Sequence, residues 1–353
     1  MKTSLLVPFP FLLMLAAAAA QEIPVPTPAE ELQKLAPLIG NWHGTGTAMM
    51  GPGGPSSWEA QSTYAWSLDK FFVQEDTVVR FADMAKPLVF RVYYGWDAEN
   101  KHYVVVAIDN DGNVGVRRLD ILGDGTMVQM KQTFHEGQTF LERDSTKVTG
   151  NQMELTLDAL AAVGPSTRVV DGKMTRTDKA QPMAMDASAF TAGPAPQIVQ
   201  LGKTAGTYTV QGSMVMMPGA PAMKITGQDQ VTALFDGTIV HVHTTGTADG
   251  LPGGYVGELF YGFDARRGCI RAVFVCNTGE VGDMEGRFTP DGKNFVLTSA
   301  QTFMGQPCAQ SMVLDLGADG AVTHSVGHML LGTGAPFESW NTTYTRTAKA
   351  AAK

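Results

Sequence analysis

Beyond its first twenty residues the chain has no apolar stretch approaching the ~18 residues that a membrane-spanning helix needs, which excludes a helical membrane domain. Charge is also sparse: 17% of the 353 residues are Asp, Glu, Lys or Arg, and the net charge is −8. An acidic balance of this kind argues against a nucleic-acid-binding surface, and long charge runs and heptads are missing too. Cysteine is limited to Cys269, Cys276 and Cys308. No Cys-x-x-Cys spacing occurs, so a thioredoxin-like redox site and a zinc ribbon are excluded. Two readings of the thiols stay open, inert buried cysteines or one disulfide with a thiol left over. Gly-x-Ser-x-Gly, His-Glu-x-x-His and Walker patterns are absent as well. What the chain does have is Gly (39), Pro (19) and 44% hydrophobic residues, the composition of a turn-rich globular protein with room for two domains.

Lys2, the apolar run Leu5 to Leu15 and the small residues Ala16 to Ala20 read as a signal peptide over 1–20, cut to leave Gln21 first. No cysteine follows the cut, which argues against a lipoprotein, and the run is short for a retained anchor. The expected location is periplasmic or extracellular.

The rest of the chain repeats itself. Gly40-Asn41-Trp42 returns as Gly206-Thr207-Tyr208, and Pro52-Gly53-Gly54-Pro55 as Pro218-Gly219-Ala220-Pro221. Tyr94-Gly95-Trp96-Asp97 returns as Tyr261-Gly262-Phe263-Asp264, Asp124-Gly125 as Asp291-Gly292, and Gln132-Thr133-Phe134 as Gln301-Thr302-Phe303. Thr175-Arg176-Thr177 returns as Thr345-Arg346-Thr347. Six matches in order predict a tandem duplication, with copy A over 30–180, a linker over 181–195 and copy B over 196–348. Runs such as Tyr103 to Ile108, Ile270 to Val275 and the alternating Thr238 to His243 predict strands. Turn signals every ten residues or so, with a short helix at Glu30 to Leu35 and no long amphipathic helix, predict an all-β fold of two antiparallel barrels. Closure of each barrel removes its edges.

The opening Leu35-Ala36-Pro37-Leu38-Ile39-Gly40-Asn41-Trp42-His43-Gly44 resembles the start of calycin barrels, the lipocalin, fatty-acid-binding and nitrobindin-like group. More closely, each copy resembles the DUF1579 family of bacterial exported domains. The Gly-x-Trp/Tyr opening, Tyr-Gly-aromatic-Asp, Asp-Gly and closing Thr-Arg-Thr carry that likeness. It implies that Trp42 in the first strand meets Arg176 in the last, a stacked cation–π pair that plugs one barrel end; in copy B the pair is Tyr208 with Arg346. Nitrobindin-like barrels hold haem through a His near the chain end. Here Trp340 to Arg346 and Asn151 to Arg176 contain none, which counts against haem.

A barrel of eight to ten strands has room for one small ligand. The even face of the first strand, with Trp42, Gly44, Gly46, Ala48 and Met50, and its counterpart with Tyr208, Val210, Gly212, Met214 and Met216, suits an apolar ligand and an ordinary core equally. Two histidine pairs, His241/His243 and His324/His328, each project to one face, as zinc or copper ligands do. Their counterparts in copy A are Gln74, Asp76, Glu154 and Asp158, so a solvated polar face is the competing reading. Met214, Met216, Met217 and Met223 extend the copper reading, although Met49 and Met50 hold the matching place in copy A without histidines. Asp97 and Asp264 follow an aromatic at a strand end and read as turn caps, Asp109/Asp111 and Asp283/Glu285 as solvated turn carboxylates, and the sequon Asn341-Thr342-Thr343 is discounted. The leading expectation is non-enzymatic binding of a small apolar molecule within a barrel, with no cofactor required by the sequence. A metal carrier or metal enzyme built on the copy B histidines, and an interaction module without a cavity, are the alternatives.

Overall fold

Strands of 8 to 14 residues follow one another through tight turns, and in each half of the chain the first strand hydrogen-bonds to the last. The computed structural model describes residues 26–49, 54–135, 138–161, 166–179, 187–190, 193–249 and 251–349. The predicted signal peptide, Met50 and most of the 181–195 linker lie outside the described residues.

Copy A opens with a 3-10 helix, Glu30–Leu38, and continues as β1 (Gly40–Met49), β2 (Pro55–Ser67), β3 (Phe72–Phe81), β4 (Leu88–Asp97) and β5 (His102–Asp109). It closes with β6 (Val114–Ile121), β7 (Met127–His135), β8 (Gln138–Thr149), β9 (Gln152–Ala161) and β10 (Ser166–Thr177). Copy B opens with an α-helix, Pro196–Gly202, followed by β11 (Gly206–Met214), β12 (Met223–Leu234), β13 (Ile239–Ala248), β14 (Leu251–Asp264) and β15 (Cys269–Cys276). Its last five strands are β16 (Val281–Phe288), β17 (Asn294–Phe303), β18 (Gln306–Leu316), β19 (Val322–Leu331) and β20 (Phe337–Lys349). Each set of ten is a closed antiparallel barrel in sequence order. Closure pairs the outer strands with each other and leaves no exposed edge.

Closure also sets who meets whom. Trp42 lies opposite Arg176 in the β1–β10 register, and Tyr208 opposite Arg346 in β11–β20. The Arg176 guanidinium sits 4.3 Å above the Trp42 ring, while its Nη2 donates to Pro37 O at 2.9 Å and its Nη1 to Ile39 O. Trp42 is 1% exposed and donates from Nε1 to Leu38 O at 2.7 Å. One arginine thus ties the last strand to the helix that caps the barrel, and the helix drops Leu32, Leu35 and Leu38 onto the core. In copy B the contact changes character. Arg346 donates to the Tyr208 hydroxyl from Nε and Nη2, at 2.9 and 2.7 Å, and that hydroxyl donates to Thr204 O.

The small residues of β1 do not line an open space. A Cβ on Gly44 would fall on the Met174 side chain, and on Gly46 or Gly172 it would fall on the Trp58 indole. The glycines are where other side chains cross the barrel, so this face is packed core. Asp97 and Asp264 cap matching turns: Asp97 Oδ1 accepts from the Glu99 and Asn100 amides, and Asp264 Oδ1 from the Arg266 and Arg267 amides. Cys269, Cys276 and Cys308 are all buried and unbonded to one another.

Arg176→Lys keeps the charge but loses the planar stack and the forked donation to two carbonyls. It should cost about 1–2 kcal/mol, read as a lower urea midpoint at unchanged slope. An unchanged midpoint would show that the seal carries no weight.

Candidate functional site

Because side chains alternate along each strand, half of every strand faces the barrel interior. In copy A that half is unexpectedly polar around one level of the barrel. Glu75 of β3 is 5% exposed and lies among the facing strands. Tyr94 of β4 donates to its Oε2 at 2.5 Å, and the Thr77 hydroxyl lies 2.7 Å from Oε1 and 2.6 Å from Ser62 Oγ. Tyr64 stands beside Tyr94, with ring centroids 6.4 Å apart. Burial raises the pKa of Glu75 above the ordinary carboxylate value, although the hydrogen bonds from Tyr94, Thr77 and Tyr64 pull it down. Both phenols are pushed up by the same burial and by the carboxylate beside them.

Next to this cluster lies a cavity of about 20 Å³, walled by Tyr64, Tyr94, Gln129, Asp144 and Thr146 and closed by Leu38, Leu119 and Met127. That volume suits a single water-sized occupant. Gln129 Oε1 is buried and has no hydrogen-bond partner among the described residues. Burial also lifts the Asp144 carboxyl, with Lys131 and Arg117 acting in the opposite direction. Further along the same interior rows Lys131 pairs with Glu142 at 2.7 Å. The adjoining seam is the thinnest in the barrel, because β6 pairs with β7 only over Leu119, Asp120 and Ile121.

Copy B supplies an internal comparison, since the register identifies the counterpart of each position. Tyr64 faces Glu75 in β2–β3, and Val231 faces Val242 in β12–β13. Gln129 faces Asp144 in β7–β8, and Leu297 faces Met312 in β17–β18. Thr146 corresponds in the same way to Leu314. Five polar interior positions of copy A are therefore hydrocarbon in copy B, where Leu297, Leu314 and Phe295 fill the core. Copy B keeps one interior carboxyl, Asp229, opposite Thr244 at the position of Ser62; burial raises its pKa, and its Oδ1 has no hydrogen-bond partner among the described residues.

The residues singled out from sequence scatter over several places. Trp42, Arg176, Tyr208 and Arg346 form the two end seals described above. Met214 ends β11 half-buried, whereas Met216 lies past that strand and is 38% exposed, so it lines no barrel. Met50 lies outside the described residues. His241 and His243 face outward from β13 rather than into the barrel, because Val240 and Val242 take the inward positions. Glu258 bridges them, with His241 Nε2 at 2.6 Å from Oε2 and His243 Nδ1 at 2.9 Å from Oε1. Burial pushes the Glu258 carboxyl up, but the two imidazoles outweigh it and hold it below the usual range. His324 is held by Asp315 and Asn341, and His328 is exposed on β19 beside Glu338. Among the described residues no group of three or more His, Cys, Asp or Glu is arranged to hold a metal. The interior cluster was missed because Glu75, Gln129 and Asp144 read as ordinary polar positions of alternating strands. Comparing each with its counterpart in the second copy would have exposed them.

A family model described as "Protein of unknown function (DUF1579)" matches residues 27–176 and 194–346. No curated protein matches the chain. Among solved structures, Rv2717c from M. tuberculosis is similar at 18% identity, over 43% of this chain and 99% of its own, with a TM-score of 0.33. A protein of unknown function from the DUF3598 family of Nostoc punctiforme is similar at 11% identity, over 90% of this chain and all of its own, with a TM-score of 0.26. At these scores neither likeness extends to function.

A raised carboxyl pKa stabilises the fold at low pH and loses that contribution as pH climbs through the folded value. Glu75→Gln should therefore raise stability at pH 7–8 and change little near pH 4, measured by urea denaturation at each pH. A variant destabilised more at pH 7–8 than near pH 4 would show instead that the negative charge of Glu75 is what the cluster requires.

Proposed function

Because the chain belongs to the DUF1579 family, with one member in each half, we propose a function built on the difference between the halves. Barrel A is the binding copy of an exported protein and takes a small polar molecule without converting it; barrel B is its scaffold. One observation carries this reading: at equivalent interior positions barrel A keeps Tyr64, Glu75, Gln129, Asp144 and Thr146 where barrel B has Val231, Val242, Leu297, Met312 and Leu314. Polar groups inside a barrel lower stability unless fully satisfied. Copy B buries polar groups of its own, Asp229, Ser325 and Thr342, but none of them stands at these five positions, and a change of all five around one cavity supports selection for something other than packing.

The chemistry at that level turns the expected apolar cargo into a polar one. The cavity wall offers an unpartnered amide oxygen on Gln129, the Asp144 carboxyl and two phenols. Acceptors in this number favour a ligand that donates hydrogen bonds, such as a hydroxylated or amine-bearing molecule. Glu75, Tyr94 and Thr77 are already bonded to one another, so they present a fixed surface rather than an activated nucleophile. A ligand larger than water enters by moving the flexible Met127 and Leu38 side chains beside the thin β6–β7 seam.

Grafting the copy B residues into copy A (Gln129→Leu, Asp144→Met, Thr146→Leu) tests the reading. In native mass spectrometry of protein purified from its own host, the unaltered chain should carry extra mass that the graft lacks, while the graft resists urea at least as well. An unaltered chain at its bare mass overturns the binding role, whatever the graft does. The same spectrum reads the N-terminus: a chain beginning at Gln21 supports export, and one beginning at Met1 counts against it.

A further inference from the structure

The largest apolar contact outside the two barrel interiors lies between the barrels, and it is built twice from the same positions. One buried cluster joins Phe72, Tyr93, Val106 and Ile108 of copy A to Ile239, Phe260, Val273 and Val275 of copy B. Each of the second set lies 167 residues after its counterpart in the first. Counterparts also meet directly, for the Tyr93 and Phe260 rings stand 6.1 Å apart. Other contacts are reciprocal: a Cβ on Gly112 would meet Thr238, and a Cβ on Gly279, the counterpart of Gly112, would meet Phe71, the counterpart of Thr238. This exchange of roles is the mark of an isologous interface around a local two-fold.

The backbone repeats the pattern. Leu68, Asp69 and Lys70 take positive φ values of 48°, 55° and 71°, and Phe235 and Asp236 repeat them at 53° and 55°. Such strained turns persist where their surroundings hold them, and both point an Asp into the interface. Asn277 donates to Asp69 Oδ2 at 2.8 Å. On the other side Asn110 donates to Ser188 O at 2.9 Å while the Ala189 amide donates to Asp236 Oδ2 at 3.1 Å. Ser188 and Ala189 lie between the second Asn–Asp pair.

Beside the Tyr93–Phe260 contact the two copies also differ in the placement of charge. In copy A, Gln74 and Arg91 both hold Asp76, with Arg91 at 2.6 and 2.9 Å. In copy B the counterparts are His241, Glu258 and His243, and there the acid is on the second strand of the pair. His241 stacks on Phe260 at 4.6 Å, and the Tyr93 hydroxyl feels both Arg91 and Glu258. In a symmetric pair of identical copies, two Arg91 or two Glu258 would lie on opposite sides of the same axis.

We infer that this shared face is a docking surface for a second copy of the same domain, and that its charge has been divided between the halves, Arg91 on one side and Glu258 on the other. Copy A therefore fits copy B better than either fits its own kind, and the chain closes this face on itself. The inference is independent of any ligand in barrel A.

Exchanging the three residues tests it in the full chain. His241→Gln/His243→Asp/Glu258→Arg makes both sides copy A in type; Gln74→His/Asp76→His/Arg91→Glu makes both copy B. Each transplanted trio is a working trio within its own barrel, so a purely local role predicts no effect. Docking by divided charge predicts that each half exchange lowers the first urea midpoint and lengthens the particle in small-angle scattering as the barrels part. The full exchange of all six residues should return both readouts to those of the unaltered chain. Half exchanges that change nothing, or a full exchange that loses as much as both halves together, overturn the inference.

Discussion

Everything in this molecule follows from the first strand of each half pairing with its tenth. That pairing satisfies the last free row of backbone groups and fixes, residue by residue, which side chains face in. Once β1 lies against β10, Trp42 has to meet Arg176, and the guanidinium can reach back to the carbonyls of the helix that caps the barrel. The same register in copy B brings Arg346 to Tyr208. There the smaller ring offers a hydroxyl, and two hydrogen bonds join a looser stack, with the guanidinium 5.3 Å from the ring centroid.

Duplication then lets the two barrels specialise, because a scaffold present twice tolerates change in one copy. Barrel B packs Leu297, Leu314 and Phe295 at the level where barrel A holds buried polar groups. The outer faces diverge as well. A symmetric contact between identical domains places like charges opposite each other near its axis, whereas two linked copies can divide acid and base between them. Arg91 and Glu258 are such a division, and Ser188 and Ala189, between the barrels in sequence, are held at the contact by Asn110, Lys86 and Asp236.

Most of the fold was legible before any coordinates, because a repeated order of short motifs carries more information than any one of them. The family model covers both copies, 27–176 and 194–346, and the all-β class followed from turn spacing and alternation. The interior was harder to read. Gly44 and Gly46 look like room for a ligand in sequence, yet Met174 and Trp58, their partners on the two neighbouring strands, occupy that space. His241 and His243 look like metal ligands, yet a carboxylate from the neighbouring strand already lies between them.

By itself the sequence determined the duplication and the strand-rich architecture, since each is written in local pattern and in the order of short motifs, and a family resemblance added the aromatic–arginine pairs. Only the tertiary structure decided which polar residues share the interior of barrel A, what fills the space above a glycine, and which outer faces touch. Those facts depend on contacts between strands far apart in the chain, and alternation tells a residue which side it faces but not what it will find there.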